Sequence, residues 1–219
     1  MRFLRYFFYL ASNWNISIAR HIIRNEIRGE KKYGIQTTGA DELKHLEDIG
    51  IDISHATVYM PVSYDLLERF FVQAEIKRFR HFLDIGCGKG RAMCVAAAFG
   101  ANKVSGTELS KKLYLQAKSN LELTKNKFPA LQFEVFNNDA FWYEIDDDVD
   151  CIFMFNPFDD VIMSGVMENI ETSLGKNPRK ITVIYINPMQ KHLFLEHGYK
   201  EVFHYREKYY LEGSVFEKG

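Results

Sequence analysis

The sequence predicts an α/β fold in which a seven-stranded, mostly parallel sheet is covered by helices on both faces. Three observations lead there. From about residue 81 onward, short apolar runs alternate with stretches of helical periodicity, the pattern that parallel strands with crossover helices produce. The run Cys151-Ile152-Phe153-Met154-Phe155 is continuously apolar, as expected of a strand buried on both faces. The last two runs, 200–206 and 208–216, follow each other with almost no linker, so they should form an antiparallel hairpin at one edge of the sheet.

The elements are placed in chain order. Met1 to Leu10 is aromatic and carries Arg2 and Arg5. It falls short of the roughly 20 residues of a membrane span. It is expected to be a helix packed on the domain, with a weak membrane-surface contact as the other reading, since arginine beside aromatic rings suits a headgroup boundary. Trp14, Ile16, Ile18, Ile22, Ile23 and Ile27 recur at helical intervals and predict a helix ending near Gly29. Residues 30–39 are polar, and Asp41 offers an N-cap for a short helix through Glu47. Tyr59-Met60-Pro61 is a break. Ser63 can cap the next helix, where Leu66, Leu67, Phe70, Phe71 and Ala74 form a buried stripe. Strands follow at 81–85, 102–107, 131–136, 149–155 and 181–186, with helices over 89–99, 110–126, 160–173 and 188–196.

Composition sets bounds. With 219 residues and 47% hydrophobic content, one sizeable core is affordable. Lys plus Arg (28) balances Asp plus Glu (29), a net charge of -1, so no global field draws nucleic acid or acidic membranes. Cys87, Cys94 and Cys151 are an odd number, which fits reduced thiols in a cytoplasmic protein. Neither they nor the seven histidines show metal-ligand spacing, so no metal is expected. Asp146-Asp147-Asp148 reads as a solvated turn.

The chemistry concentrates after the first strand. Phe82-Leu83-Asp84-Ile85 runs into Gly86-Cys87-Gly88-Lys89-Gly90 and then a helix, so a ligand can approach a backbone free of side chains. Glu108 ends the next apolar strand about 20 residues later, where a carboxylate can accept both hydroxyls of a ribose. The glycine spacing is D-x-G-x-G-x-G rather than the G-x-G-x-x-G that seats a pyrophosphate on a helix N-terminus. Asp84 would repel a pyrophosphate and suits the ammonium end of S-adenosylmethionine.

Through Asp84-Ile85-Gly86-Cys87-Gly88-Lys89-Gly90, Glu108, Asn138-Asp139-Ala140 and Asn156-Pro157-Phe158, the sequence resembles class I S-adenosylmethionine-dependent methyltransferases over about residues 57–216. Thr37-Thr38-Gly39 and Tyr59-Met60-Pro61-Val62-Ser63-Tyr64 place the nearest likeness among small, largely uncharacterised bacterial members. A looser likeness runs to seven-strand protein lysine methyltransferases. The resemblance implies a Rossmann-like three-layer sandwich whose last strand is antiparallel, and a catalytic domain over 61–219. It also implies a helical extension over 1–60 acting as a lid. The expected cofactor contacts are Asp84, Gly86, Cys87, Gly88, Gly90, Glu108, Leu109, Asp139, Ala140 and Asn156, with Asp139 accepting the adenine amine.

In amino methyltransferases the pattern related to Asn156-Pro157-Phe158 binds the target nitrogen through the Asn side chain and a backbone carbonyl, with the aromatic ring close by. This sequence has one proline where that pattern has two. Asn156, Pro157, Phe158 and Tyr59 are therefore the catalytic candidates for N-methylation of a lysine-like protein side chain or a small-molecule amine. A nucleic-acid N-methyltransferase and a non-catalytic cofactor-binding sensor or scaffold stand as alternatives; the balanced charge weighs against the first, and fold alone does not exclude the second.

Overall fold

The structure, a computed structural model, describes residues 2–41, 59–156, 158–208 and 211–219. Two helices open the chain, α1 (Arg2–Asn13) and α2 (Ile16–Tyr33). They fold against each other through Tyr6, Leu10 and Ala19, with Ile22 and Ile23 alongside. The Asn15 side chain caps α2 by accepting from the Ile18 N–H. Contrary to the sequence expectation, α2 does not stop near Gly29. A Cβ there would lie 2.1 Å from the Tyr64 ring, so this glycine serves close packing within the helix. The stop is Gly34, in left-handed backbone at φ 70°, whose N–H donates to the Glu30 carbonyl.

Helix α3 (Tyr64–Ala74) buries Leu66, Leu67, Phe70, Phe71 and Ala74 as expected, but Ser63 makes no side-chain capping bond. The short helix expected from Asp41 to Glu47 lies outside the described residues. Asp41 itself bridges to Tyr59 through two backbone hydrogen bonds of 3.0 and 2.9 Å.

The seven strands are β1 (Phe82–Ile85), β2 (Lys103–Thr107), β3 (Gln132–Phe136), β4 (Cys151–Phe155), β5 (Ile181–Ile186), β6 (Lys200–Lys208) and β7 (Leu211–Lys218). Their order is β3-β2-β1-β4-β5-β7-β6. The first five are parallel neighbours, and β7 runs antiparallel to both β5 and β6. The predicted hairpin therefore exists, with its second strand inserted beside β5 and its first at the edge. Order reverses between β1 and β4, which opens a crevice at their carboxyl ends.

Helices α4 (Arg91–Ala98), α5 (Lys111–Lys127), α6 (Asp160–Lys176) and α7 (Lys191–Glu196) cover the sheet. Strand β4 shows why its sequence is apolar throughout. Cys151 and Phe153 belong to the core that holds α3, α4 and α5, whereas Ile152 and Met154 belong to the core that holds α6 and α7. Tyr33 and Ile35 join the first of these cores.

A buried charge pair ties the N-terminal helices to the sheet. Arg91, 3% exposed, donates from both terminal nitrogens to the Glu26 carboxylate at 2.7 and 2.5 Å and to the Val62 carbonyl at 2.6 Å. Its Nε donates to Thr37 Oγ1 at 2.8 Å, and its plane lies 4.0 Å from the Tyr64 ring centroid. The Glu26 carboxylate also accepts from Thr38 Oγ1, while Glu30 accepts the Thr37 and Thr38 N–H groups and pairs with Arg2. Removing one partner of a desolvated pair leaves the other charge unsatisfied, at about 3–5 kcal/mol. Urea denaturation of Arg91→Leu should show a loss of that size, partly recovered in Glu26→Leu/Arg91→Leu; a loss under about 1 kcal/mol would mean the pair is dispensable.

Candidate functional site

The crevice is built on the β1–α4 turn. Gly86, Gly88 and Gly90 all take left-handed backbone, with φ 75°, 55° and 77°, so each glycine of the spaced triplet is required by conformation. The Gly86 and Cys87 N–H groups donate to the Thr107 carbonyl at 3.0 and 2.9 Å, and Gly90 N–H donates to the Cys87 carbonyl at 2.8 Å. The loop is thereby fixed to the end of β2, and Cys87 is buried under it. A Cβ on Gly88 would lie 2.2 Å from the Tyr59 ring. Tyr59 packs on the loop, its hydroxyl donates to the Thr37 carbonyl at 2.9 Å, and burial pushes its phenol well above the usual range. Lys89 extends over that ring at 5.0 Å and donates to the Thr38 carbonyl. Burial, reinforced by the Arg91 charge, lowers Lys89 to about 8.

Two carboxylates converge on the loop. Asp84, next to last in β1, is in register with Gly106 of β2 and is 3% exposed. Burial, then the charge of Glu108, raises it well above the ordinary carboxylate value. One Glu108 oxygen accepts the Gly88 N–H and the other the Ser110 N–H, both at 2.8 Å. Burial still raises Glu108 to about 7 against the pull of those bonds. Each oxygen keeps one further acceptor position, so the group can hold two more donors, as a diol offers. Leu109 is half-buried beside it. Asn137 Nδ2 donates to the Glu108 and Leu109 carbonyls, which draws the β3 end against the same wall. There Asp139 accepts the Phe141 N–H at 2.9 Å and starts a short turn through buried Ala140.

On the other side of the strand reversal, Asn156 follows β4 in left-handed backbone at φ 34°, a conformation that asparagine tolerates better than most residues. Phe158 is half-buried against the second core; Pro157 lies outside the described residues. Strand β5 ends in the same way. Phe155 and Ile186 are register partners, so Asn156 and Asn187 stand side by side at the carboxyl edge, and Asn187 is also left-handed at φ 50°. The repeat of Asn-Pro after two apolar runs, Asn156-Pro157 and Asn187-Pro188, is visible in the sequence.

Two other features lie apart from this crevice. A cleft of about 620 Å³ between α1, residues 36–41 and α5 is lined by Arg2, Arg5, Tyr6, Lys89 and Lys112 among others, and Asp84, Glu108 and Asp139 are not on its walls. At the amino end of β1, His81 is fully buried. Its ring nitrogens bond to Asp148 at 2.8 Å and Ser105 at 2.7 Å. Asp148 is more than a solvated turn residue. Partial burial would raise it, yet bonds with Lys103 and His81 hold it down to about 2. His81, Asp146 and Asp148 place potential ligand atoms within 4.8 Å of one another, but both nitrogens of His81 are already engaged.

Residues 82–176 match a family model described as a methyltransferase domain. The chain is similar to the solved structure of a SAM dependent methyltransferase from Aquifex aeolicus, with 15% identity and a TM-score of 0.51 over 69% of this chain and 88% of that one. It is similar to a ribosomal protein L11 methylase from Lactobacillus delbrueckii subsp. bulgaricus, with 15% identity and a TM-score of 0.52 over 68% and 76%. Thermoplasma acidophilum 1320 gives 16% identity and a TM-score of 0.52 over 89% and 94%. At these identities the likeness is one of fold. No curated protein matches the sequence.

The raised Asp84 gives a stability prediction. Its folded-state value lies above the ordinary 3.8, so the native state holds its proton more tightly and stability falls as pH rises above that value. Asp84→Asn removes this cost. Thermal melts should find the variant more stable than wild type at neutral pH, with the gap closing toward pH 3.8; a gap that widens toward low pH would contradict the assignment.

Proposed function

We propose that the chain is a class I S-adenosylmethionine-dependent methyltransferase and that it methylates a nitrogen, on a lysine-like protein side chain or a small-molecule amine. The observation that carries the proposal is Asn156, held in left-handed backbone at the carboxyl end of β4, beside the strand that presents Asp84.

The residues present fit the cofactor. Three left-handed glycines shape the loop turn, one buried carboxylate suits an ammonium group, and a second has acceptor positions left for a ribose diol. When bound, S-adenosylmethionine would supply an electrophilic methyl carbon, its C–S bond breaking as the acceptor lone pair attacks in line and the sulfur leaving as a neutral thioether, so no protein nucleophile is needed. In this reading Asp84 faces the ammonium, Gly86, Cys87, Gly88 and Gly90 bound the methionine end, and Glu108 accepts the ribose hydroxyls. Leu109 and Ala140 flank the adenine, and Asp139 accepts its amine. Asn156 accepts from the target nitrogen and aligns its lone pair once the amine is neutral, with Phe158 and Tyr59 closing the pocket.

Residues 1–60 serve as the lid over this cleft and 61–219 as the catalytic domain. The contacts of Tyr59 with Gly88 and of Lys89 with Thr38 support that division of labour. No described helix is long and apolar enough to cross a membrane. The three free, buried cysteines support a cytoplasmic, reducing setting.

The test uses a tritiated methyl donor with a panel of amines and lysine peptides. Asn156→Ala should still bind cofactor saturably and lose about 100-fold or more in transfer at saturating cofactor, the scale of removing one preorganised hydrogen-bonding group. Transfer at the wild-type rate would overturn the nitrogen assignment.

A further inference from the structure

We infer that the outer surface of the α1–α2 hairpin is a docking surface for an anionic lipid bilayer. Along α1 the inward residues are Tyr6 and Leu10. On its opposite face Leu4 and Phe8, one turn apart, are 60% and 62% exposed. At the corner into α2 stand Trp14, 43% exposed, and Ile16, 56% exposed, and Ile27 adds a further exposed apolar group on α2. A helix apolar on its inner and outer faces alike has more hydrophobic surface than the small core beneath it can cover.

The charges around this apolar surface identify the partner. Residues 2–34 carry seven lysines and arginines against two glutamates, while the whole chain has a net charge of -1. Both glutamates point inward: Glu26 is buried against Arg91 and Glu30 against Arg2. Arg28 is neutralised by Asp65 and Lys32 by Glu68. Arg5, Arg20 and Arg24 are exposed and have no carboxylate partner among the described residues. Ile16, Arg20 and Arg24 follow at intervals of four on one stripe of α2, where Ser17 and His21 line the same shallow groove.

Exposed leucine, isoleucine, phenylalanine and tryptophan edged by unpaired arginines suit the boundary between acyl chains and anionic headgroups. A second copy of the chain would bring the same excess of positive charge against itself. A nucleic acid would engage the arginines and leave Leu4 and Ile16 without a role. This inference does not depend on the methyl acceptor or on catalysis.

The test is co-flotation of the full chain with phosphatidylcholine vesicles and with vesicles containing phosphatidylglycerol. Wild type should float with the anionic vesicles, and salt should weaken the association. Each cation near such a surface contributes about fivefold, so Arg20→Glu/Arg24→Glu should partition about 30-fold or more weakly. Leu4→Ser/Phe8→Ser, which changes exposed positions and spares the core, should lose at least about tenfold. Absence of flotation with anionic vesicles, equal flotation with both vesicle types, or flotation unchanged in both variants would overturn the inference, as would salt-sensitive binding to single-stranded RNA without vesicle binding.

Discussion

Arg91 stands immediately after the last glycine of the β1–α4 loop and sends its guanidinium inward to Glu26, Thr37, Val62 and Tyr64. An unpaired guanidinium in the interior would be very costly, so the N-terminal helices and residues 35–41 must be in place for α4 to begin where it does. The same contacts position Thr37 and Thr38, whose carbonyls receive Tyr59 and Lys89. Those two residues lie over Gly88 and beside it. One buried ion pair therefore sets the N-terminal segment and the glycine loop in a single relative geometry.

The sheet supplies the rest of the arrangement. Reversal of strand order between β1 and β4 brings Asp84 and Asn156 to the same carboxyl edge from segments far apart in sequence. Register pairing of β2 with β1 sets Glu108 beside the loop. A carboxylate buried at the loop is poorly solvated: burial raises both Asp84 and Glu108, and the charge of Glu108 raises Asp84 further. Sites that hold unfavourable charge for ligand recognition are where local stability is given up. A positively charged ammonium and a ribose diol complement that pair, whereas the pyrophosphate of a dinucleotide would face the Asp84 carboxylate.

Much of this was legible in the sequence, because strands buried on both faces and glycines forced into left-handed backbone leave local marks. Cys151 to Phe155 was apolar throughout because alternate residues enter two different cores. What escaped was set by partners distant in sequence. Glu26 had the pattern of a polar residue on an amphipathic helix, and its buried role depends on Arg91, 65 positions away. Gly29 resembled a helix stop, and only the Tyr64 ring makes it a packing glycine. Asp148 looked solvated because neither His81 nor Lys103 is near it in the chain. The insertion of β7 between β5 and β6 follows from which strand edge β5 leaves open, which a hairpin signal does not encode.

The central claim is that the loop and its two carboxylates select S-adenosylmethionine. Calorimetric titration of the purified chain with S-adenosylmethionine, S-adenosylhomocysteine and NAD, repeated on Asp84→Ala and Glu108→Ala, tests it most directly. Saturable binding of the first two, absent for NAD and lost in both variants, is the predicted result. Binding of NAD with neither S-adenosyl compound bound would contradict the account.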